Sequence, residues 1–287
     1  MKLRSFLRVS SLVAAFTAFV SFANIAQADG TPERVVGVGG SVTEIVYALG
    51  EENRLVARDT TSTYPTAASE LPDVGYIRRL SPEGVMSVSP DLILMLDGSG
   101  PPEAVEVLAK SGIQIVDVPE SYSPKGILEK VRIVGDALGV PDKAAALSER
   151  LQAALSRAET DRQSSSVKVL FVLSNQGGRI LASGEGTAAA SIIKLAGAQN
   201  ATPEFTGYKQ LTTEAILQAA PDVVLMMSHN ANHGAGDIFD NAALASTPAG
   251  QNRQLIKMPG SYLLGFGPRT ADAIVELSSK LAKVKGE

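Results

Sequence analysis

The chain has no cysteine and no tryptophan, and only two of its 287 residues are histidine. The missing cysteines exclude disulfides and thiolate metal sites, although an exported protein would be free to use disulfides. They also exclude a lipid-modified cysteine as a membrane anchor, and a cysteine nucleophile. Without tryptophan one common stacking platform is gone. Two histidines make a dedicated zinc or manganese centre improbable unless further carboxylates converge on them. Beyond the N-terminal segment, no apolar run approaches the roughly 18 to 20 residues of a membrane-spanning helix. Enzyme signatures are missing as well: there is no G-x-S-x-G elbow, no P-loop and no H-E-x-x-H.

What is present begins with an address. Lys2, Arg4 and Arg8 give a basic start, Val9 to Phe22 is apolar, and Ala26-Gln27-Ala28 has the small-x-small form of a cleavage site. Residues 1–28 therefore read as a signal peptide, and the mature chain as soluble and exported. Removing the three basic residues of that segment moves the formal net charge from −4 to −7. An acidic exported protein is a poor partner for nucleic acid. A soluble exported protein without an anchor needs an outer membrane to retain it, which points to a Gram-negative periplasm.

Strand and helix signals alternate along the rest of the chain. Arg34 to Val38 reads as a buried strand, and Ser41-Val42-Thr43-Glu44 as a capping box opening a helix that Gly50 closes. Gly37 invites a dinucleotide fingerprint, but G-x-G-x-x-G needs glycine where Val42 stands. Arg54 to Arg58 is a second strand, leading into the Thr/Ser-rich loop that carries Tyr64-Pro65. Ser81-Pro82-Glu83 opens another helix, and Leu92–Leu96 and Ile113–Val118 are further strands. Such alternation indicates an α/β fold with a mainly parallel sheet.

An internal repeat then decides the architecture. Residues 80–96, with Ser81-Pro82-Glu83 and Pro90-Asp91-Leu92, match residues 211–227, with Thr212-Thr213-Glu214 and Pro221-Asp222-Val223, at a constant offset of 131. Each copy follows a Gly-Tyr pair, Gly75-Tyr76 and Gly207-Tyr208. The expected fold is two similar α/β lobes with mainly parallel sheets, bridged by a long helix, with a ligand cleft between them. The N-terminal lobe covers 29–140, the interlobe helix 141–163 and the C-terminal lobe 164–287. The helix carries Leu147, Leu151, Leu155 and Ala158 on one face. Twenty-two helical residues would span about 33 Å, enough to bridge two lobes rigidly and keep hinge motion small.

Ligands bind in clefts between domains and at the carboxyl ends of parallel strands. The Tyr64 loop, the Asp97–Pro101 loop, the Asn175–Gly178 loop and the His229–Gly236 loop are the places to look. A phenolate is a hard oxygen donor suited to ferric iron, and tyrosine is one of the axial ligands of haem. Tyr64 is singled out on that ground, against the plainer reading of a turn tyrosine packed on its lobe. His229 and His233 offer an opposing ligand or a partner for a propionate, or are solvated loop residues. Arg78 and Arg79, beside Tyr76, suit carboxylates. Glu83 and Glu214 sit at equivalent helix starts, where each complements the helix dipole and the two together form matched acidic knobs.

The segments Gly39-Gly40-Ser41-Val42-Thr43-Glu44, Thr61-Ser62-Thr63-Tyr64-Pro65, Leu71 to Gly84 (with Gly75-Tyr76-Ile77-Arg78-Arg79) and Tyr262-Leu263-Leu264-Gly265-Phe266-Gly267-Pro268-Arg269 together resemble the periplasmic haem-binding proteins of bacterial haem importers. The resemblance covers nearly all of the mature chain. It implies that Tyr64 is the proximal ligand of the iron, with haem as a transported ligand rather than a catalytic cofactor. It also implies that Glu83 and Glu214 dock to arginines on an ABC permease dimer in the inner membrane, one per lobe. An outer-membrane haem receptor system would lie upstream. Some members add a histidine from the second lobe's first strand-loop, where Asn175-Gln176 stands here. Tyr76, Arg78, Arg79, Asn175, Tyr208, His229 and His233 are thus the haem-pocket candidates. Non-catalytic capture of ferric haem is the expected function. A ferric siderophore or cobalamin is the nearest alternative ligand, and an exported hydrolase the rival from another class.

Overall fold

The computed structural model describes residues 30–162, 166–228 and 237–284. Residues 1–28 with their expected cleavage site, the loop bearing His229 and His233, and the 163/164 lobe boundary lie outside the described residues. The first lobe holds β1 (Val35–Val38), α1 (Gly40–Ala48), β2 (Leu55–Arg58), a hairpin of β3 (Gly75–Tyr76) and β4 (Arg79–Leu80), α2 (Pro82–Ser87), β5 (Leu92–Leu96), α3 (Pro102–Ala109) and β6 (Gln114–Val118). Two helices follow, α4 (Pro124–Ala137) and the long α5 (Pro141–Asp161). The second lobe begins with β7 (Lys168–Gln176), β8 (Arg179–Ser183), α6 (Ala188–Leu195), β9 (Gln199–Asn200) and β10 (Tyr208–Gln210). It continues through α7 (Thr213–Ala219), β11 (Val223–Ser228), α8 (Ala242–Ala245), α9 (Pro248–Gln251), β12 (Leu255–Pro259), α10 (Gly260–Leu264) and α11 (Thr270–Ala282).

The first lobe's sheet is parallel throughout, in the order β2-β1-β5-β6. Its strands are apolar on both faces, as a sheet covered on both sides requires. Val35, Leu92 and Leu94 point to one core, while Val36, Val38, Ile93 and Met95 point to another. The second sheet repeats the division, with Val169, Phe171, Val223 and Leu225 on one side and Leu170, Val172 and Val224 on the other. The inner faces of both sheets share a single hydrophobic cluster with α4, α5, α6 and α11. Helix α5 contributes the stripe Ala144, Leu147, Leu151, Leu155 and Ala158, all buried, as its spacing predicts. Each of the three leucines contributes about 1.5–3 kcal/mol by leaving water.

The repeat reappears as shared local chemistry. Ser81 and Thr212 cap α2 and α7, accepting from the backbone N–H of Gly84 at 3.1 Å and of Ala215 at 3.2 Å. Ser89 and Ala220 both take left-handed backbone, with φ of 46° and 41°, just before the Pro-Asp pairs. Asp91 accepts from the N–H groups of Glu33 and Arg34 at the entry to β1, and Asp222 from that of Lys168 at the entry to β7.

Two expectations are corrected. Ser41 does not cap α1: the helix starts at Gly40, its N-cap residue is Gly39 without a side-chain bond, and Glu44 is turned away to a distant partner. The second sheet is mainly parallel, as expected, through β7 with β11, β11 with β12 and β7 with β9, but it takes in β8, which runs antiparallel to both β7 and β10. The cause is the Gly177-Gly178 turn, with φ of 58° and 76°, which folds β8 straight back on β7 as a hairpin. Asn175 therefore lies in a strand opposite Ile180 and not in a loop. Among the described residues no helix is long and apolar enough to cross a membrane.

Candidate functional site

The Tyr64 loop is built around one buried carboxylate. Asp59, fully buried at the carboxyl end of β2, accepts from the N–H of Gly39 (2.9 Å) and of Thr61 (2.9 Å) and from the hydroxyls of Thr61 (2.6 Å) and Ser62 (2.6 Å). Ser62 also shares a hydrogen bond of 2.8 Å with Thr43 on α1. A buried ion is tolerable when its lone pairs are satisfied in this way. The neighbouring Arg58 donates to the carbonyls of Ala68 and Ser69 and pairs with Asp73, clamping the far end of the loop. Burial pushes the Asp73 carboxyl up, but bonds from Gly75 and Thr60 together with Arg58 outweigh it and hold it below the ordinary carboxylate value. Tyr64 thus stands on a braced loop with 44% of its surface exposed, joined to Pro65 by a cis peptide bond.

The last turn of chain before α11 reaches the same place from the second lobe. Arg269 lies over the Tyr64 ring, its guanidinium carbon 3.5 Å from the ring centroid. Glu44 of α1 holds that guanidinium through Nε and Nη2, each 2.9 Å from a carboxylate oxygen, and accepts from the Arg269 backbone N–H at 3.2 Å. The Tyr262 ring is a second aromatic neighbour of that guanidinium, with its centroid at 5.2 Å. Burial and the carboxylates of Glu276 and Asp272 push the Tyr262 phenol up to about 12. Phe266, buried in a left-handed conformation, meets the Tyr122 ring edge-on at 5.3 Å. A Cβ on Gly267 would sit 3.3 Å from that of Ser41, a tight contact that a larger residue could make only with a small shift of α1.

Tyr122 and Arg78 of the first lobe and Tyr208 of the second feel one another's charge. Burial raises the Tyr122 phenol, helped by Glu120 and opposed by Arg78. Burial likewise raises Tyr208, helped by Tyr122 and opposed by Arg78 and by a hydrogen bond with Thr187. The fully buried Lys130 of α4 pairs with Glu120. Burial holds the ammonium below the ordinary lysine value and the carboxyl above the ordinary glutamate value, and the ion pair opposes both shifts.

The sequence matches the periplasmic binding protein family over residues 35–262. The chain belongs to that family. It resembles the solved periplasmic heme-binding protein BhuT in complex with two hemes, with 38% identity and a TM-score of 0.84 over 90% of this chain and 100% of that one. A vitamin B12-binding protein of Vibrio parahaemolyticus is 24% identical over 274 residues, 92% of this chain and 94% of that protein. The ABC transporter substrate-binding lipoprotein YvrC of Bacillus subtilis is 28% identical over 199 residues, and the match spans 63% of its length. This periplasmic binding protein is thus a member of a group that binds and hands on ligands and does not transform them.

In this binding protein Tyr64, Arg78 and Tyr208 are all exposed: Tyr64 on its braced loop, Arg78 in the turn of the β3–β4 hairpin and Tyr208 at the start of β10. Tyr76 and Arg79 pair across the β3–β4 hairpin, both exposed. The hairpin is joined to the Tyr64 loop through Asp73, which accepts from both Thr60 and Gly75. Glu83 and Glu214 stand exposed in the first turns of α2 and α7. The Asn175 side-chain oxygen is buried, with no hydrogen-bond partner among the described residues. No group of three or more metal-binding His, Asp or Glu side chains exists among the described residues. The sequence reading missed Arg269, Glu44, Tyr122 and the Lys130–Glu120 pair. The signal for the first two was present in the segments that carry the family resemblance, since a lone charge in each had no local partner.

Proposed function

We propose that this binding protein captures ferric haem between its lobes, with the Tyr64 phenolate as the axial iron ligand, and delivers it to an ABC permease dimer for import. One observation carries the reading: a half-exposed tyrosine on a loop braced by Asp59 and Arg58, with a guanidinium held over its ring by Glu44. A phenolate ligand to ferric iron is chemistry this arrangement suits. The relative of 38% identity named as heme-binding supports the same ligand class. Arg78, with the Tyr122 and Tyr208 hydroxyls, suits the propionates, and Tyr76, Arg79 and Asn175 complete the candidate pocket. Glu83 and Glu214, one per lobe, are the proposed contacts to the two permease subunits. Export through a cleaved N-terminal signal to the periplasm, downstream of an outer-membrane haem receptor system, completes the reading.

The vitamin B12-binding relative favours one second reading, capture of a corrinoid. A corrinoid has no use for a tyrosinate ligand, so Tyr64 separates the two. Haemin titration of the mature protein beside Tyr64→Ala, with cyanocobalamin as a competitor, tests both. Saturable Soret and charge-transfer changes typical of phenolate-bound ferric haem, lost in the variant and indifferent to cyanocobalamin, are expected. The equivalence point gives the number of haems per chain. Binding that survives the substitution moves the ligand elsewhere, and cyanocobalamin binding in place of haemin overturns the haem reading.

A further inference from the structure

We infer that Arg269 is the positioning residue for Tyr64: held by Glu44 and lying flat on the phenol ring, it fixes the plane of that ring and hence the direction in which the oxygen meets the ligand. This rests on the haem reading above. A tyrosine 44% exposed on a loop keeps its side-chain torsions free unless something packs on its ring. Iron coordination demands one orientation, and ordering the ring at the moment of binding would subtract from affinity.

The packing group here is itself immobilised. Three hydrogen bonds between 2.9 and 3.2 Å tie Arg269 to Glu44, which is buried. A planar fork can satisfy a carboxylate with its edge and stack on an aromatic ring with its face at the same time, which a lysine ammonium cannot do. At 3.5 Å the guanidinium is in stacking contact with the Tyr64 ring, so the ring cannot tilt toward it. The Tyr262 ring, at 5.2 Å, is a second aromatic neighbour of the guanidinium. It serves as a neutral phenol, because its hydroxyl is engaged with Glu276 and its ionisation is pushed to about 12. The two tyrosines beside one arginine therefore differ: one is free to meet a ligand, the other is held as a neutral phenol.

The arrangement also couples the lobes to the ligand. Tyr64 and Glu44 belong to the first lobe, whereas Arg269 arrives from the second, 225 residues after Glu44. Movement of one lobe against the other would withdraw the guanidinium and release the ring.

The test is a double-mutant cycle with haemin as the probe, using Arg269→Lys and Tyr64→Phe singly and together. Arg269→Lys keeps a cation opposite Glu44, so it preserves the fold where Arg269→Gln would leave a buried carboxylate unpaired. Tyr64→Phe keeps the ring and removes the ligating oxygen. In the unmodified background Arg269→Lys is expected to weaken haemin binding about tenfold and shift the charge-transfer band; in the Tyr64→Phe background the same change should move affinity less than about twofold. An unchanged affinity and band in Arg269→Lys would overturn the inference and leave the haem reading intact. An equal loss in both backgrounds would also overturn it, since the arginine would then act on the scaffold alone. Failure of the unmodified protein to bind haemin would remove the haem reading, and this inference with it.

Discussion

Replacing Asp59 by alanine should be among the most damaging single changes in the first lobe. The carboxylate is fully buried and accepts four hydrogen bonds, two from backbone N–H groups and two from hydroxyls. The hydroxyls can rotate, and Thr61 reaches water. The N–H groups of Gly39 and Thr61 cannot rotate. A bond to a charged acceptor is worth about 1.5–3 kcal/mol, so losing two that cannot be replaced predicts a cost of about 3–5 kcal/mol. Asn at the same position keeps one acceptor oxygen but turns an amide toward a donor, which should cost about 1–2 kcal/mol. Urea unfolding followed by circular dichroism reads the difference. With a slope of about 2–3 kcal/mol/M, the alanine midpoint should fall by roughly 1–2.5 M. Haemin affinity should fall as well, even at low urea where the variant is folded, because the Tyr64 loop loses its anchor. An alanine variant within about 1 kcal/mol of the unmodified protein would refute the claim that this carboxylate organises the loop.

Two further outcomes follow from the charged groups. Lys130→Met should cost about 3 kcal/mol at pH 8, because Glu120 is left in a buried position without its partner. Its carboxyl, already raised by burial, loses the opposing ammonium and rises further. An acid with a raised native pKa adds stability that is full below the ordinary carboxylate value and is lost as pH climbs through the native value. Thermal melts of Lys130→Met should therefore fall more steeply from pH 5 to pH 8 than those of the unmodified protein, and parallel curves would argue against the pair. Glu83→Lys and Glu214→Lys should leave haemin affinity within about twofold, since both side chains are exposed in the first turns of their helices and make no ion pair among the described residues. In vesicles carrying the cognate permease each should reduce haem uptake, and the double variant should abolish it. Undiminished uptake by the double variant would remove these residues from the docking surface.

The lobes were readable because their signals are local and duplicated. A capped helix, a left-handed residue and a Pro-Asp strand entry occur in both copies and perform the same bonds, as Asp91 and Asp222 do. The antiparallel strands of the second sheet had a signal that went unweighed: Gly177-Gly178 between two apolar runs marks a two-residue hairpin. Asn175 was assigned to a loop for that reason. Ser41 failed as a cap because Gly39 and Gly40 let the backbone enter the helix earlier, freeing Glu44 for a tertiary bond. Tyr64 could be chosen by donor chemistry, but its surroundings could not. Lys130 looks in sequence like one more polar position of an amphipathic helix, and only the packed structure places it at zero exposure against Glu120. Likewise no spacing rule relates Glu44 to Arg269, because their contact depends on two lobes being assembled.

That last contact also sets an order of events in time. Glu44 is synthesised early, and the arginine that neutralises it comes 225 residues later, just ahead of the final helix. Until then Glu44 has no arginine to answer it, and the Tyr64 ring lacks its stacking partner. A nascent or truncated chain ending before Arg269 thus carries every element of the first lobe without the group that braces its exposed tyrosine. On the proposed reading, a chain cut there would still present the ligating oxygen but not hold it in one direction.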